Sequence, residues 1–129
     1  MAELAGLHHV ALSVRDLDAS ASWYADVLGL VEEVRLEGED RRSVILRLPG
    51  TAQQVGLVEH QGGGQSFDPT TIGLDHVAFS VASGTELRAW GARLDERGVA
   101  GSGVIDTPFG GMLHFTDPDG VALALFWNR

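Results

Sequence analysis

The chain carries one nine-residue stretch twice, as GLHHVALSV at residues 6–14 and as GLDHVAFSV at residues 73–81. Seven of the nine positions are identical, and each copy has a histidine, His9 or His76, near its start. Polar or small residues alternate with apolar ones along the first copy, which is the period of a β-strand. The repeat predicts two copies of one folding unit, each opening with a strand that carries a histidine.

The segments after each copy repeat the same order of elements. In the first half, Asp16 or Asp18 can cap a helix that ends before Gly29, and Ser83 and Gly98 bound the corresponding helix of the second half. Three apolar stretches follow each helix, which predicts strands at residues 31–36, 43–48 and 53–60 and at residues 104–105, 112–116 and 121–127. We therefore expect an α+β protein made of two tandem βαβββ modules.

The domain boundaries are predicted from the linker-like stretch between the two halves, which contains three consecutive glycines and an Asp-Pro pair. A chain of 129 residues has the size of one domain. We expect a single domain over residues 1–129, with module one at residues 5–61, the linker at residues 62–72 and module two at residues 73–129.

The composition excludes several classes of function. A net charge of −9 disfavours nucleic-acid binding and mildly favours a neutral or cationic ligand. The chain has no cysteine, which excludes disulfides and thiolate metal sites, and it contains no apolar stretch of eighteen residues. We expect a cytoplasmic protein that has neither a nucleic-acid nor a membrane partner.

Four segments resemble motifs of the vicinal oxygen chelate superfamily, which groups glyoxalases, bleomycin-resistance proteins and extradiol dioxygenases. They are HHVALSV, DLDASASWYADVLGL, GLDHVAFSV and FTDPDGVALALF. The resemblance covers essentially the whole chain. It implies that the sheets of the two modules curl into a cup that binds a small molecule, and that the protein is a homodimer.

The resemblance also implies a metal site, because metal-dependent members take a His and a Glu from the first and last strands of each module. His9 and His76 match the two histidine positions. Gly56 and Ala124, which have no side-chain donor atoms, occupy the two glutamate positions. Two imidazoles bind a divalent ion weakly, so a Zn, Ni, Fe or Mn ion would need a third ligand, for which His114 is the candidate.

Strand alternation predicts further side chains that line the cup. His114 faces it if Phe115 packs against the helix, and Arg47 is the expected counterpart of His114 in module one. His60 has the parity of Gly56 but lies roughly 13 Å further along an extended strand, so we expect it at the rim. The predicted ligand-binding residues are His9, Arg47, His60, His76, His114 and Phe126.

The rest of the predicted lining is apolar, which suits an aromatic ligand. It consists of Ile45, Val58, Ala78, Ala122 and Ala124, with Phe126 and Trp127 closing one side.

Three functions are compatible with these residues. The first is a binding protein similar to the bleomycin-resistance branch, in which the metal site is incomplete. The second is a divalent-metal-dependent lyase, isomerase or dioxygenase that acts on a substrate with adjacent oxygens. The third is metal-free acid–base catalysis by the histidines, whose ordinary pKa suits proton transfer near neutral pH. The sequence assigns no residue a catalytic role.

Overall fold

In the computed structural model, which describes residues 2–129, the elements follow one another as βαβββ and again as βαβββ. Met1, the first residue of the predicted 1–129 domain, lies outside the described residues. The chain divides after Gln65 into two compact units, and each contains one βαβββ module. The prediction of an α+β fold with two such modules is confirmed.

Module one has a four-stranded sheet in the order β1-β4-β3-β2, with β1 parallel to β4 and the other neighbours antiparallel. Its elements are β1 (His9–Ser13), α1 (Leu17–Leu28), β2 (Val31–Glu37), β3 (Arg41–Arg47) and β4 (Gln54–His60). Of the two predicted helix caps, Asp16 is the one used, since its carboxylate accepts the N–H of Ala19 at 3.0 Å. The helix ends at Gly29, whose φ of 74° favours glycine.

The helix of module one packs on one face of its sheet because alternate strand residues make that face apolar. Tyr24 of α1 is fully buried there, as are Val44, Leu46 and Leu57, while Leu12 is 3% exposed. The opposite side of the sheet is here called the helix-free face of module one. Its strand residues include His9, Ala11, Ser13, Arg41, Ser43, Ile45, Arg47, Gln54, Gly56, Val58 and His60.

Module two repeats this arrangement with the sheet order β5-β8-β7-β6, in which β5 is parallel to β8. Its elements are β5 (Val77–Ser80), α2 (Gly84–Glu96), β6 (Ile105–Thr107), β7 (Gly110–Thr116) and β8 (Ala122–Asn128). Ser83 caps α2 as predicted, because its hydroxyl accepts the N–H of Glu86 at 3.1 Å. Leu87 of the helix and Leu113, Phe115 and Leu123 of the sheet form the core.

The helix-free face of module two consists of alternate residues on four strands. They include Ala78, Ser80, Ile105, Met112, His114, Ala122, Ala124 and Phe126. Strand β5 is shorter than the repeated stretch, so His76 lies directly before it, whereas His9 is the first residue of β1. Across residues 2–129, neither helix has the length and apolar character needed to span a bilayer.

Candidate functional site

A row of polar residues crosses one end of the helix-free face of module one. His9 of β1 lies opposite Gln54 of β4, and Gln54 lies opposite Arg47 of β3. Directly opposed residues have their side chains on the same face of the sheet. Two predicted ligand-binding residues, His9 and Arg47, are thus brought onto one row, and Gln54, which was not predicted, lies between them.

A carboxylate that strand alternation did not predict joins this row. The register of β2 against β3 shifts between Glu32 and Val34, and the extra residue is Glu33. Its carboxylate accepts a hydrogen bond from Gln54 Nε2 at 3.2 Å and forms an ion pair with Arg47 Nε at 3.5 Å. A β-bulge turns one residue out of the alternating pattern. Glu33 therefore belongs to the helix-free face although simple parity does not place it there.

The next row of module one is small and apolar. Gly56 lies between Ala11 and Ile45, its partners on the neighbouring strands. In module two, His114 lies opposite Ala124, just as Ile45 lies opposite Gly56. The counterpart of His114 is consequently Ile45. The expectation that Arg47 takes that place is wrong, because Arg47 lies in the neighbouring row.

His60 lies at the far end of the helix-free face of module one. It is the last residue of β4 and pairs with Arg41, six residues from Gln54. An extended strand covers about 20 Å over that distance. His60 is therefore remote from His9 and Arg47 along the sheet.

In module two, an aromatic and sulfur-containing cluster surrounds His114. Phe115 is buried, so His114 projects from the helix-free face. Its ring meets the ring of Phe126 edge to face, with the centroids 6.1 Å apart, and its Nε2 lies 3.2 Å from the sulfur of Met112. Such contacts leave a polarizable, partly apolar surface that suits a planar ligand.

His9 and His76 each contact the residue that precedes them. His76 Nδ1 lies 2.7 Å from a carboxylate oxygen of Asp75, and His9 Nδ1 lies 2.9 Å from Nδ1 of His8. A carboxylate on Nδ1 favours the tautomer in which Nε2 carries the lone pair. In His76, Nε2 is therefore the nitrogen left to bind a ligand.

Trp127 does not take part in this surface, contrary to the expectation that it closes one side of the cup. A Cβ added at Gly111 would lie 2.7 Å from its Nε1, and one added at Gly84 would lie 3.2 Å from its ring. Gly84 is the first residue of α2, so the indole packs on the helix side of the sheet. Only Phe126 of this aromatic pair belongs to the helix-free face.

Comparison with known sequences identifies the family. A sequence profile of the Glyoxalase/Bleomycin resistance protein/Dioxygenase superfamily matches residues 6–125. The chain belongs to this superfamily. The match includes both modules, as the resemblance of the repeated motifs predicted.

Relatives within the superfamily have been described in several bacteria. The chain is similar to a glyoxylase/bleomycin resistance protein/dioxygenase domain from Frankia sp. EAN1pec, with 42% identity, a TM-score of 0.93 and coverage of 98% of this chain and 94% of that one. A glyoxalase family protein from Enterococcus faecalis is 26% identical, with a TM-score of 0.77 and coverage of 95% and 97%.

Among curated proteins, the chain is similar to biphenyl-2,3-diol 1,2-dioxygenase 3 from Rhodococcus globerulus. The two are 29% identical over 115 residues, which is 88% of this chain. The chain spans 58% of the length of that dioxygenase.

The metal centre that the superfamily implies does not fit the side chains at hand. Glycine and alanine at positions 56 and 124 supply no oxygen donor, and Ala124 is fully buried. Within residues 2–129, no three His, Cys, Asp or Glu side chains come together in a group that could hold a metal ion. A divalent ion in a protein needs at least three such ligands. The donor set therefore lacks what a resident metal requires.

Proposed function

We propose that this protein binds a small, partly aromatic molecule on the helix-free faces of its modules, in a cup of the kind the superfamily resemblance implies, and that it does so without a resident metal ion. One observation carries the proposal. Both faces present histidines beside apolar groups, while the positions at which metal-dependent relatives carry glutamates have no donor atoms.

The helix-free face of each module, taken by itself, offers its own contacts for such a ligand. In module one, His9 and Arg47 offer hydrogen-bond donors at one end of the face. In module two, His114 and Phe126 offer an edge-to-face aromatic pair. Binding sites for small molecules combine apolar groups with a few placed polar groups, and each helix-free face carries both kinds.

A binding experiment tests the aromatic contact. With 2-naphthamide as a neutral probe, Phe126→Ala should weaken binding measured by isothermal titration calorimetry about fivefold, because one aromatic pair contributes roughly 1 kcal/mol beyond buried area. Phe109→Ala is the matched control, since Phe109 is 79% exposed and outside the strands, and it should leave the affinity unchanged. Equal effects of the two substitutions would contradict the proposal.

Metal analysis of protein purified without a chelator tests the second half of the proposal. We expect well under one tenth of an equivalent of Zn, Ni, Fe or Mn per chain. Near-stoichiometric metal that disappears in His9→Ala and His76→Ala would contradict the proposal that the protein binds its ligand without a resident metal ion.

That outcome would favour the second candidate, a metal-dependent lyase, isomerase or dioxygenase. Two observations speak for it: the similarity to the Rhodococcus globerulus dioxygenase and the hydrogen bond between Asp75 and His76. A carboxylate on the outer nitrogen of a histidine is common behind metal ligands. The missing donors at positions 56 and 124 rank this candidate second.

We further infer, from the superfamily resemblance, that residues 62–72 join the two modules within a single domain and that the protein is a homodimer. Sedimentation velocity measures the second point, and a monomer at micromolar concentration would contradict it.

A further inference from the structure

The charges of module one are divided between the two sides of its sheet. On strands β1–β4, the helix-free face carries Arg41 and Arg47 together with His9 and His60, and Glu33 is its single carboxylate. The strand carboxylates Glu32, Glu37 and Glu59 lie on the helix side, where they form ion pairs with Arg35 or Arg42. On its strands, the helix-free face thus carries two arginines and one carboxylate, in a chain whose net charge is −9.

Arg47 is held in a way that leaves part of its guanidinium group free. Glu33 pairs with the Nε edge at 3.5 Å, and Glu33 is itself held by the hydrogen bond from Gln54. Within residues 2–129, the two terminal nitrogens of Arg47 have no hydrogen-bond or ion-pair partner, and the side chain is 33% exposed. An arginine fixed on one edge presents its other donors as a fork that matches the two oxygens of a carboxylate.

An apolar surface adjoins this fork. Ile45 lies in the row next to Arg47 and Gln54, and Val34, which is 46% exposed, pairs with Ile45 on β2. A ligand whose anionic group binds Arg47 would therefore place its hydrocarbon part over Ile45 and Val34. Burial of that part adds affinity in proportion to its area.

We propose that the helix-free face of module one selects an apolar carboxylic acid, whose carboxylate binds the terminal nitrogens of Arg47 and whose body lies on Ile45 and Val34. Glu33 is a positioning residue for Arg47. The inference rests on the proposed function and names its ligand class. It also replaces the expectation, drawn from the net charge, of a neutral or cationic ligand, because the charge near a site governs recognition more than the total does.

A pair of isosteric probes tests the inference in the full chain. Isothermal titration calorimetry with 2-naphthoate and 2-naphthamide should show about tenfold tighter binding of the carboxylate. Arg47→Met should lower the affinity for 2-naphthoate about tenfold and leave that for 2-naphthamide within twofold, which also shows that the variant is folded. Arg97→Met removes the same charge at the end of α2 in module two and should leave both affinities unchanged.

The role of Glu33 is tested by the direction in which Glu33→Ala changes the affinity for 2-naphthoate. If Glu33 only adds negative charge, Glu33→Ala will strengthen 2-naphthoate binding. If it positions Arg47, the same variant will weaken binding severalfold, which is the result we expect. Glu32→Ala, the neighbouring carboxylate on the helix side, is the matched control and should change 2-naphthoate binding by less than twofold.

The outcomes separate this inference from the proposed function. Equal affinities for 2-naphthoate and 2-naphthamide, or a loss in Arg97→Met as large as in Arg47→Met, would overturn the choice of a carboxylate and leave small-molecule binding intact. Failure of both probes to bind at millimolar concentration would overturn both proposals.

Discussion

One pair of neighbouring strand residues, which lies beside the start of the helix, is charged in module one and apolar in module two. Arg42 lies opposite Glu59 on β3 and β4, and Gly111 lies opposite Trp127 at the same register on β7 and β8. The backbones match, yet one pair is an ion pair and the other is an indole packed on a glycine. The same place in the repeat can therefore be filled by two unrelated kinds of interaction.

In module one, the ion pair also serves the helix. Glu59 accepts the N–H of Leu17, the first residue of α1, at 2.8 Å, and Arg42 lies 3.3 Å from the same carboxylate oxygen. The free N–H groups at a helix N-terminus favour an anion. Asp18 and Arg35 extend this network across the surface.

In module two, packing replaces the charge. Trp127 lies against Gly84, which is the first residue of α2, and against Gly111 on the neighbouring strand. The indole fits only because both neighbours lack a side chain. The packing of Trp127 in module two therefore depends on the shape of both glycines. The module-one contacts are electrostatic, and their side chains can adjust their positions.

The largest effect is expected from breaking the packing of module two. Gly111→Ala places a Cβ 2.7 Å from Trp127 Nε1 and 2.9 Å from a methyl carbon of the fully buried Leu87. Overpacking of this kind costs about 1–3 kcal/mol, and urea unfolding measures it. Gly91→Ala is the control in the same module, since its Cβ would lie 3.4 Å from Leu113. A helical Gly→Ala change there should be neutral or stabilising by up to about 1 kcal/mol.

A smaller effect is expected from removing the anion of module one. Glu59→Ala leaves the N–H of Leu17 without its acceptor and Arg42 without its nearer carboxylate, which should cost about 1–2 kcal/mol of unfolding free energy. Glu37→Ala is the control, because Glu37 is 3.8 Å from Arg42 and 58% exposed at its side chain. Equal losses in the two variants would show that the helix contact contributes nothing.

The smallest effect concerns pH. The hydrogen bond from Arg35 lowers the pKa of the Asp18 carboxyl below its ordinary value. Stability from this group is present above the unfolded pKa of about 3.9 and is lost as pH falls through the folded value. Asp18→Asn should thus flatten the acid side of a plot of unfolding free energy against pH. An Asp18→Asn curve parallel to that of the wild type would refute the assignment.

The sequence alone predicted the order of the elements and the face of each strand on which most residues lie. Alternation in the first copy correctly separated His9 and Ala11 from Leu12, and the paired caps located both helices. These features depend on the local alternation of apolar and polar residues and on single capping residues. Both can be recognised in the sequence without knowledge of the fold.

Two features of the candidate site depend on register and could not be predicted in this way. Glu33 reaches the helix-free face through a bulge, which interrupts the alternating pattern on which parity arguments rest. The connections of the two modules differ in length, so the number of residues between equivalent positions changes along the chain. The sequence spacing therefore points to Arg47 as the counterpart of His114, whereas the register shows that it is Ile45. The face of Trp127 does follow from alternation, because Trp127 comes directly after Phe126 on β8 and so lies on the opposite face, and the expectation that both close the cup is wrong.

The row formed by Ala11, Gly56 and Ile45 on the helix-free face of module one has a practical consequence for chemical labelling. Gly56 has no positive φ, and a Cβ there would lie 3.4 Å from the Cβ of Ala11 and 3.7 Å from a methyl of Ile45, which are ordinary contacts. The chain contains no cysteine. Gly56→Cys would therefore introduce a unique thiol at the middle of the helix-free face, where a trifluoromethyl reporter could follow occupancy by ¹⁹F NMR against a silent background.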